Sequence, residues 1–291
     1  MLQGSYVALV TPFKNNEIDY TALEKLIEFQ IANHTDGILF CGTTGESPAL
    51  AGDEKERLVN YGIKKVAKKI PVMMGTGSNN LHHTISATLQ AQDWGVDHAL
   101  VITPYYNKPT QNGLYQYFKA VAENTNIPIV IYNVPGRTGV NINAETTIKL
   151  ANEFKNIVGI KEASGNLDQV SRIVKYTDSN FSVMSGEDAL NLPIMSCGAK
   201  GVISVTANIL PKKVSQLVSL SLQHKYSQAL KIHLELLELN SILFLESNPI
   251  PVKEALHLMN MIKRVIRLPL CNMDQEKIEM LKQVLINYKI V

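Results

Sequence analysis

Lys161 closes the run Ile157-Val-Gly-Ile160, and Ala163-Ser-Gly165 follows. The run is short, rich in β-branched residues and bounded by turn formers, which is the pattern of a buried strand. Two readings compete for a lysine at such a place. It can snorkel outward with its stem on apolar surface. Alternatively it is an unprotonated amine that adds to a carbonyl and forms a Schiff base. Other polar residues stand just after short apolar runs: Thr43 and Thr44, Tyr105 and Tyr106, Tyr132, Arg137 and Gly186. Singly, each has a plainer role: turn former for the threonines, core residue for Tyr132, solvated loop charge for Arg137. Jointly they supply an amine nucleophile, phenols that can relay protons, and a guanidinium fork for a carboxylate. That combination favours the imine-forming reading.

Other chemistries lack their parts. His82 and His83 are adjacent, so on a helix they face different directions and cannot share a metal. No GxSxG elbow occurs. Glu46, Glu162 and Glu187 form no evident acid/base pair.

The elements that must position these residues alternate along the chain. Short apolar runs at Tyr6–Val10, Gly37–Phe40, Val72–Met74, Ala99–Ile102, Ile129–Tyr132, Ile157–Ile160, Ser182–Met184 and Gly201–Ser204 read as strands, with amphipathic helical stretches between them. About eight βα units with short loops predict an α/β fold, a (β/α)₈ TIM barrel, whose active site lies at the C-terminal ends of its strands. The competing doubly wound sheet would need a glycine fingerprint. Gly75-Thr-Gly-Ser-Asn-Asn80 imitates one only in its first three positions and reads as a turn. After about residue 224 the alternation stops. Tyr226–Leu245, Pro251–Met261 and Asp274–Ile286 read as helices, broken at Asn248-Pro-Ile-Pro251. The predicted organisation is a catalytic barrel over residues 1–224 with a C-terminal helical appendix over 225–291.

Composition narrows the function further. The 291 residues are 45% hydrophobic and 19% charged, with a net charge of +2. No basic stripe interleaved with aromatics suggests nucleic acid, and no apolar run approaches a membrane span. Met1–Val10 lacks the features of an export signal. The 3 cysteines, Cys41, Cys197 and Cys271, are too scattered for a disulfide framework or zinc site. Buried, reduced thiols in a cytoplasmic protein are expected.

Four motifs carry a resemblance. Gly42-Thr-Thr-Gly-Glu46, Tyr132-Asn-Val-Pro-Gly-Arg-Thr-Gly139, Gly159-Ile-Lys-Glu-Ala163 and Asn248-Pro-Ile-Pro-Val-Lys253 together resemble the dihydrodipicolinate synthase family of pyruvate-dependent class I aldolases. The likeness covers essentially the whole chain. It implies condensation of pyruvate with L-aspartate 4-semialdehyde to 4-hydroxy-tetrahydrodipicolinate, a step of lysine and diaminopimelate biosynthesis, with no metal or redox cofactor. By the resemblance, Lys161 forms the Schiff base. Thr43, Tyr132 and a Tyr106 from a neighbouring subunit relay protons. The N–H groups of Thr43 and Thr44 hold the pyruvate carboxylate, Arg137 holds that of the semialdehyde, and Gly186 and Ile203 line the pocket. It also implies a homo-oligomer, commonly a tetramer built from two tight dimers. Two alternatives stay open: an N-acetylneuraminate-type pyruvate lyase, against which Arg137 argues, and a barrel that binds pyruvate-like ligands without turnover. Many relatives are inhibited by lysine at the tight dimer interface. This chain resembles that pocket at Ser47, Asn79 and Tyr105. It carries Gly52 and Lys55 where histidines stand, and His83 where a glutamate stands, so weak or absent inhibition is expected.

Overall fold

The computed structural model describes residues 2–291. Eight parallel strands close into a barrel: β1 (Gly4–Ala8), β4 (Gly37–Phe40), β5 (Val72–Gly75), β6 (His98–Ile102), β7 (Ile129–Asn133), β8 (Ile157–Glu162), β9 (Ser182–Ser185) and β10 (Gly201–Ser204), with β1 pairing both β10 and β4. A two-stranded hairpin, β2 (Phe13–Lys14) and β3 (Glu17–Ile18), interrupts the first βα connection. The repeat pattern gave no sign of it, since two-residue strands leave no periodicity.

The outer layer comprises α1 (Tyr20–Ala32), α2 (Gly52–Val66), α3 (Leu81–Asp93), α4 (Gln111–Asn124), α5 (Pro135–Thr138), α6 (Ala144–Glu153), α7 (Leu167–Tyr176), α8 (Asn191–Ser196) and α9 (Pro211–Leu222). Side-chain caps set many of their starts. Asp19 accepts from the N–H of Ala22, Asn80 from His83, Asn143 from Thr146 and Asn166 from Gln169, at 2.9–3.1 Å. Helix α2 starts at Gly52, capped by the Glu54 carboxylate on the Ala51 N–H at 2.9 Å. The C-terminal region folds as α10 (Tyr226–Glu235), α11 (Leu237–Ile242), α12 (Ile250–Leu258) and α13 (Gln275–Asn287). The stretch read as one helix over Tyr226–Leu245 is two, broken at Leu236.

Period-two alternation splits the apolar residues into two cores. Tyr6, Leu39, Met73, Leu100, Val130, Tyr132, Met184 and Ile203 fill the barrel, while a larger cluster packs sheet against helices. Only one of the three thiols is buried, contrary to the sequence expectation. Burial pushes the Cys41 thiol up to about 12, whereas Cys197 is half-buried and Cys271 exposed. No described helix is long and apolar enough to cross a membrane.

Candidate active site

Strand β8 continues through Lys161 and Glu162 instead of ending before them. Because neighbours alternate across the sheet, the two side chains go opposite ways. Lys161 is paired in register with Tyr132 on β7 and Met184 on β9, both members of the barrel core. Its amine lies 4.4 Å from the Tyr132 ring centroid, and the residue is 6% exposed. Gly186, at the end of β9, leaves the space that the lysine stem occupies. A Cβ there would stand 3.0 Å from Lys161 Cγ and Cε and 2.8 Å from Ala163 Cβ.

Glu162, fully buried, faces the helix layer. Its carboxylate accepts from Ser164 N–H at 2.7 Å, Gln169 Nε2 at 2.8 Å and Asn133 Nδ2 at 3.1–3.2 Å. Neutral donors thus satisfy a buried carboxyl group. Asn133 also accepts from Ile142 N–H and bonds Asn141, so this network anchors the return of the loop that carries Arg137. The three barrel-top carboxylates therefore have separate jobs. Glu162 braces the sheet, Glu46 pairs with a lysine described below, and Glu187 is half-buried. Burial first, and then Asp188, raise the Glu187 pKa above the usual carboxylate range, with Lys161 pulling the other way.

Residues Gly42–Glu46 form a closed turn. Gly45 N–H donates to Gly42 C=O and Glu46 N–H to Thr43 C=O. Thr11 Oγ1 donates to Gly45 C=O at 2.7 Å. Among the described residues no acceptor takes the N–H of Thr43 or Thr44, which leaves adjacent backbone donors at the mouth. Thr43 lines a cavity of about 360 Å³ together with Tyr132, Ile102 and Tyr105. The cavity runs outward past Ser47, Gly52, Lys55 and His83, so several residues expected at an effector pocket share it with Thr43 and Tyr132. Asn79 is not in that lining; its C=O accepts from Asn107. Glu54 is committed to Arg267 through two hydrogen bonds of 2.6 and 2.7 Å, and that guanidinium holds its carboxyl down at about 2.

The structure does not bring every expected residue together. Arg137, in α5, is exposed, with Nη2 3.4 Å from the Asn248 C=O. Ile203 is in the inner core one register step from the mouth, paired with Tyr6. Tyr106 stands apart: it is 88% exposed, has φ +72° and does not line the cavity. Sequence reasoning missed how far the C-terminal region reaches into the site. Lys253 Nζ donates to Glu46 Oε1 at 2.5 Å and to Thr11 C=O at 3.0 Å, with the Phe13 ring 4.4 Å away. Burial lowers the Lys253 pKa, with Glu46 opposing. The available signal was a lysine in a largely apolar helix start, Ile250-Pro-Val-Lys-Glu-Ala-Leu256, every residue of which is buried.

Fold and site together define a (β/α)₈ barrel carrying an enclosed lysine amine beside a tyrosine at its C-terminal mouth. The model of the dihydrodipicolinate synthetase family matches residues 1–287. A 4-hydroxy-tetrahydrodipicolinate synthase from a Hydrogenobaculum species is 50% identical over 291 residues, covering 100% of both chains. The crystal structure of dihydrodipicolinate synthase from Aquifex aeolicus superposes with a TM-score of 0.98 at 49% identity, covering 99% of each chain. That of the chloride-inhibited enzyme from Acinetobacter baumannii, complexed with pyruvate, gives 0.98 at 43% identity over 100% of each. The chain belongs to the dihydrodipicolinate synthetase family.

Proposed function

We infer that this chain is a lyase of the class I aldolase type that condenses pyruvate with L-aspartate 4-semialdehyde to 4-hydroxy-tetrahydrodipicolinate. The observation that carries the reading is the Lys161 amine, enclosed at the barrel mouth 4.4 Å from the Tyr132 ring, in a chain of this family. Lys161 Nζ adds to the pyruvate ketone carbon and water leaves, giving an iminium. The iminium withdraws electrons, so the pyruvate methyl loses a proton and becomes an enamine carbon. That carbon bonds to the aldehyde carbon of the semialdehyde, whose oxygen takes a proton. The substrate's amine then attacks the imine carbon, closes the ring and releases Lys161. Thr43, Tyr132 and Tyr106 carry the protons, the paired N–H groups of Thr43 and Thr44 hold the pyruvate carboxylate, and Arg137 holds that of the semialdehyde. Gly186 and Ile203 shape the pocket.

Tyr106 motivates the oligomer. A tyrosine at positive φ costs about 1–2 kcal/mol and exposes its ring unless something covers it. A second copy of the chain, taking Tyr106 into its own site, would use both features. The working organisation is a cytoplasmic tetramer of two tight dimers, each subunit a barrel over 1–224 with its helical region over 225–291. Borohydride reduction in the presence of pyruvate, followed by peptide mass spectrometry, tests the reading. The expected result is one pyruvate-derived adduct on the peptide containing Lys161. No adduct, or one on another lysine, overturns it. Efficient cleavage of N-acetylneuraminate would reassign the substrate.

A further inference from the structure

We propose that Asn248 is a positioning residue of the reaction site: through the Thr44 hydroxyl and the Arg137 guanidinium it holds the two carboxylate-binding elements in one relative geometry. The proposal rests on the function inferred above. Three observations carry it. Asn248 is 5% exposed, and its Nδ2 donates to Thr44 Oγ1 at 2.9 Å across 204 positions of sequence. Its backbone C=O receives the Arg137 Nη2 contact at 3.4 Å. Its side-chain Oδ1 is buried without a protein partner, an acceptor that the fold itself does not use.

The segment that follows is pinned to the same turn. Lys253, five residues on, bonds Glu46 and the Thr11 C=O, and the second Glu46 oxygen accepts from Arg267 N–H at 3.0 Å. The strap Asn248–Lys253 therefore grips the turn at two points, Thr44 and Glu46, while the N–H groups of Thr43 and Thr44 stay without an acceptor among the described residues. Loosening that grip lets the paired donors drift, and carboxylate binding depends on their alignment.

The test measures the pyruvate concentration giving half-maximal borohydride labelling of Lys161. Labelling of the unaltered chain is the control for the function itself: its absence defeats that reading, not this one alone. Asn248→Ala should raise half-saturation about ten-fold. Asn248→Asp, although isosteric, loses the amide donor and sets a negative charge beside an anion site, so it should raise half-saturation further, to about a hundred-fold. A merely structural asparagine would give the reverse order, with the isosteric variant milder. Thr44→Val and Thr44→Ser read the same bond from its other end and do not depend on how the Asn248 variants fold. Valine, without the acceptor, should show a half-saturation about ten-fold above that of serine. A milder Asn248→Asp than Asn248→Ala, or equal values for the two Thr44 variants, overturns the proposal.

Discussion

The ends of β8 and β6 solve the same problem, presenting a polar side chain at the barrel mouth, in opposite ways. Lys161 is enclosed by its own chain: Tyr132 and Met184 flank it in register, and Gly186 yields it space. Tyr106 is left bare on a strained loop. A nucleophile must be desolvated and aimed, and a single barrel achieves this because the sheet surrounds its interior. A residue four positions beyond its strand has no such enclosure and depends on whatever docks there. Of the three members of the proposed proton relay, folding places Thr43 and Tyr132 at one cavity and leaves Tyr106 outside it.

The sharpest break of that contrast is Lys161→Arg. The guanidinium stays charged and cannot form the imine, so activity should fall on the order of 10⁴-fold or more, and the borohydride adduct should vanish. Persistent labelling of the variant would remove Lys161 from the mechanism.

Tyr106→Phe probes the bare side. If a partner copy uses the phenol, kcat should fall about 100-fold with little change in thermal stability, since the ring makes almost no contact within its own chain. Mixing Lys161→Arg chains with Tyr106→Phe chains should then raise activity above the sum of the two variants alone, through hybrid dimers. A strictly additive mixture with no recovery would place the relay within one subunit.

Arg137 lies between the two extremes, exposed but tethered to Asn248. A charged hydrogen bond contributes about 1.5–3 kcal/mol, so Arg137→Ala should weaken use of the semialdehyde roughly ten- to hundred-fold and leave pyruvate labelling far less affected. Equal losses for both substrates would assign Arg137 to the framework instead.

The outer end of the cavity gives a smaller effect. Lys55 and His83 line it, no acid among the described residues does, and the neighbouring Glu54 is taken by Arg267. A diammonium ligand meets a lysine there and no free acid, so affinity for lysine should be about a hundred-fold below that of a carboxylate-lined pocket. Titrating initial rates at fixed pyruvate should show little inhibition, and clear inhibition at sub-millimolar lysine would refute the charge argument.

The smallest effect concerns the tie between the mouth and the C-terminal region. The Glu54 pKa is depressed from 4.5 to about 2 by Arg267. A carboxylate with a lowered folded pKa contributes stability that is complete above about 4.5 and is lost as pH falls toward about 2. Glu54→Gln should therefore lower the melting temperature slightly at pH 7 and make it less dependent on pH across that window. An unchanged acid limb would mean that the pair contributes nothing, as solvent-screened pairs often do.

Much of this was legible along the chain. Eightfold alternation and the placement of Thr43, Tyr132, Arg137 and Lys161 after strands are local patterns, set by side-chain periodicity and backbone hydrogen bonding. The division of labour among Glu46, Glu162 and Glu187 was not legible. Each stands just beyond an apolar run, and only the packed sheet decides which face a carboxylate takes.

What the sequence by itself determined, then, is the barrel, its direction, and the identity of the side chains at its mouth, because a strand's face and end follow from residues a few positions apart. What only the tertiary structure decided is who holds those side chains in place. Thr44 meets Asn248 across 204 residues and Glu46 meets Lys253 across 207. The tertiary structure also left Tyr106 uncovered. Such pairings have no local signature. They exist because closing the barrel and folding the last helices over its mouth bring distant donors and acceptors into a space with little water, where a polar group left alone would be costly.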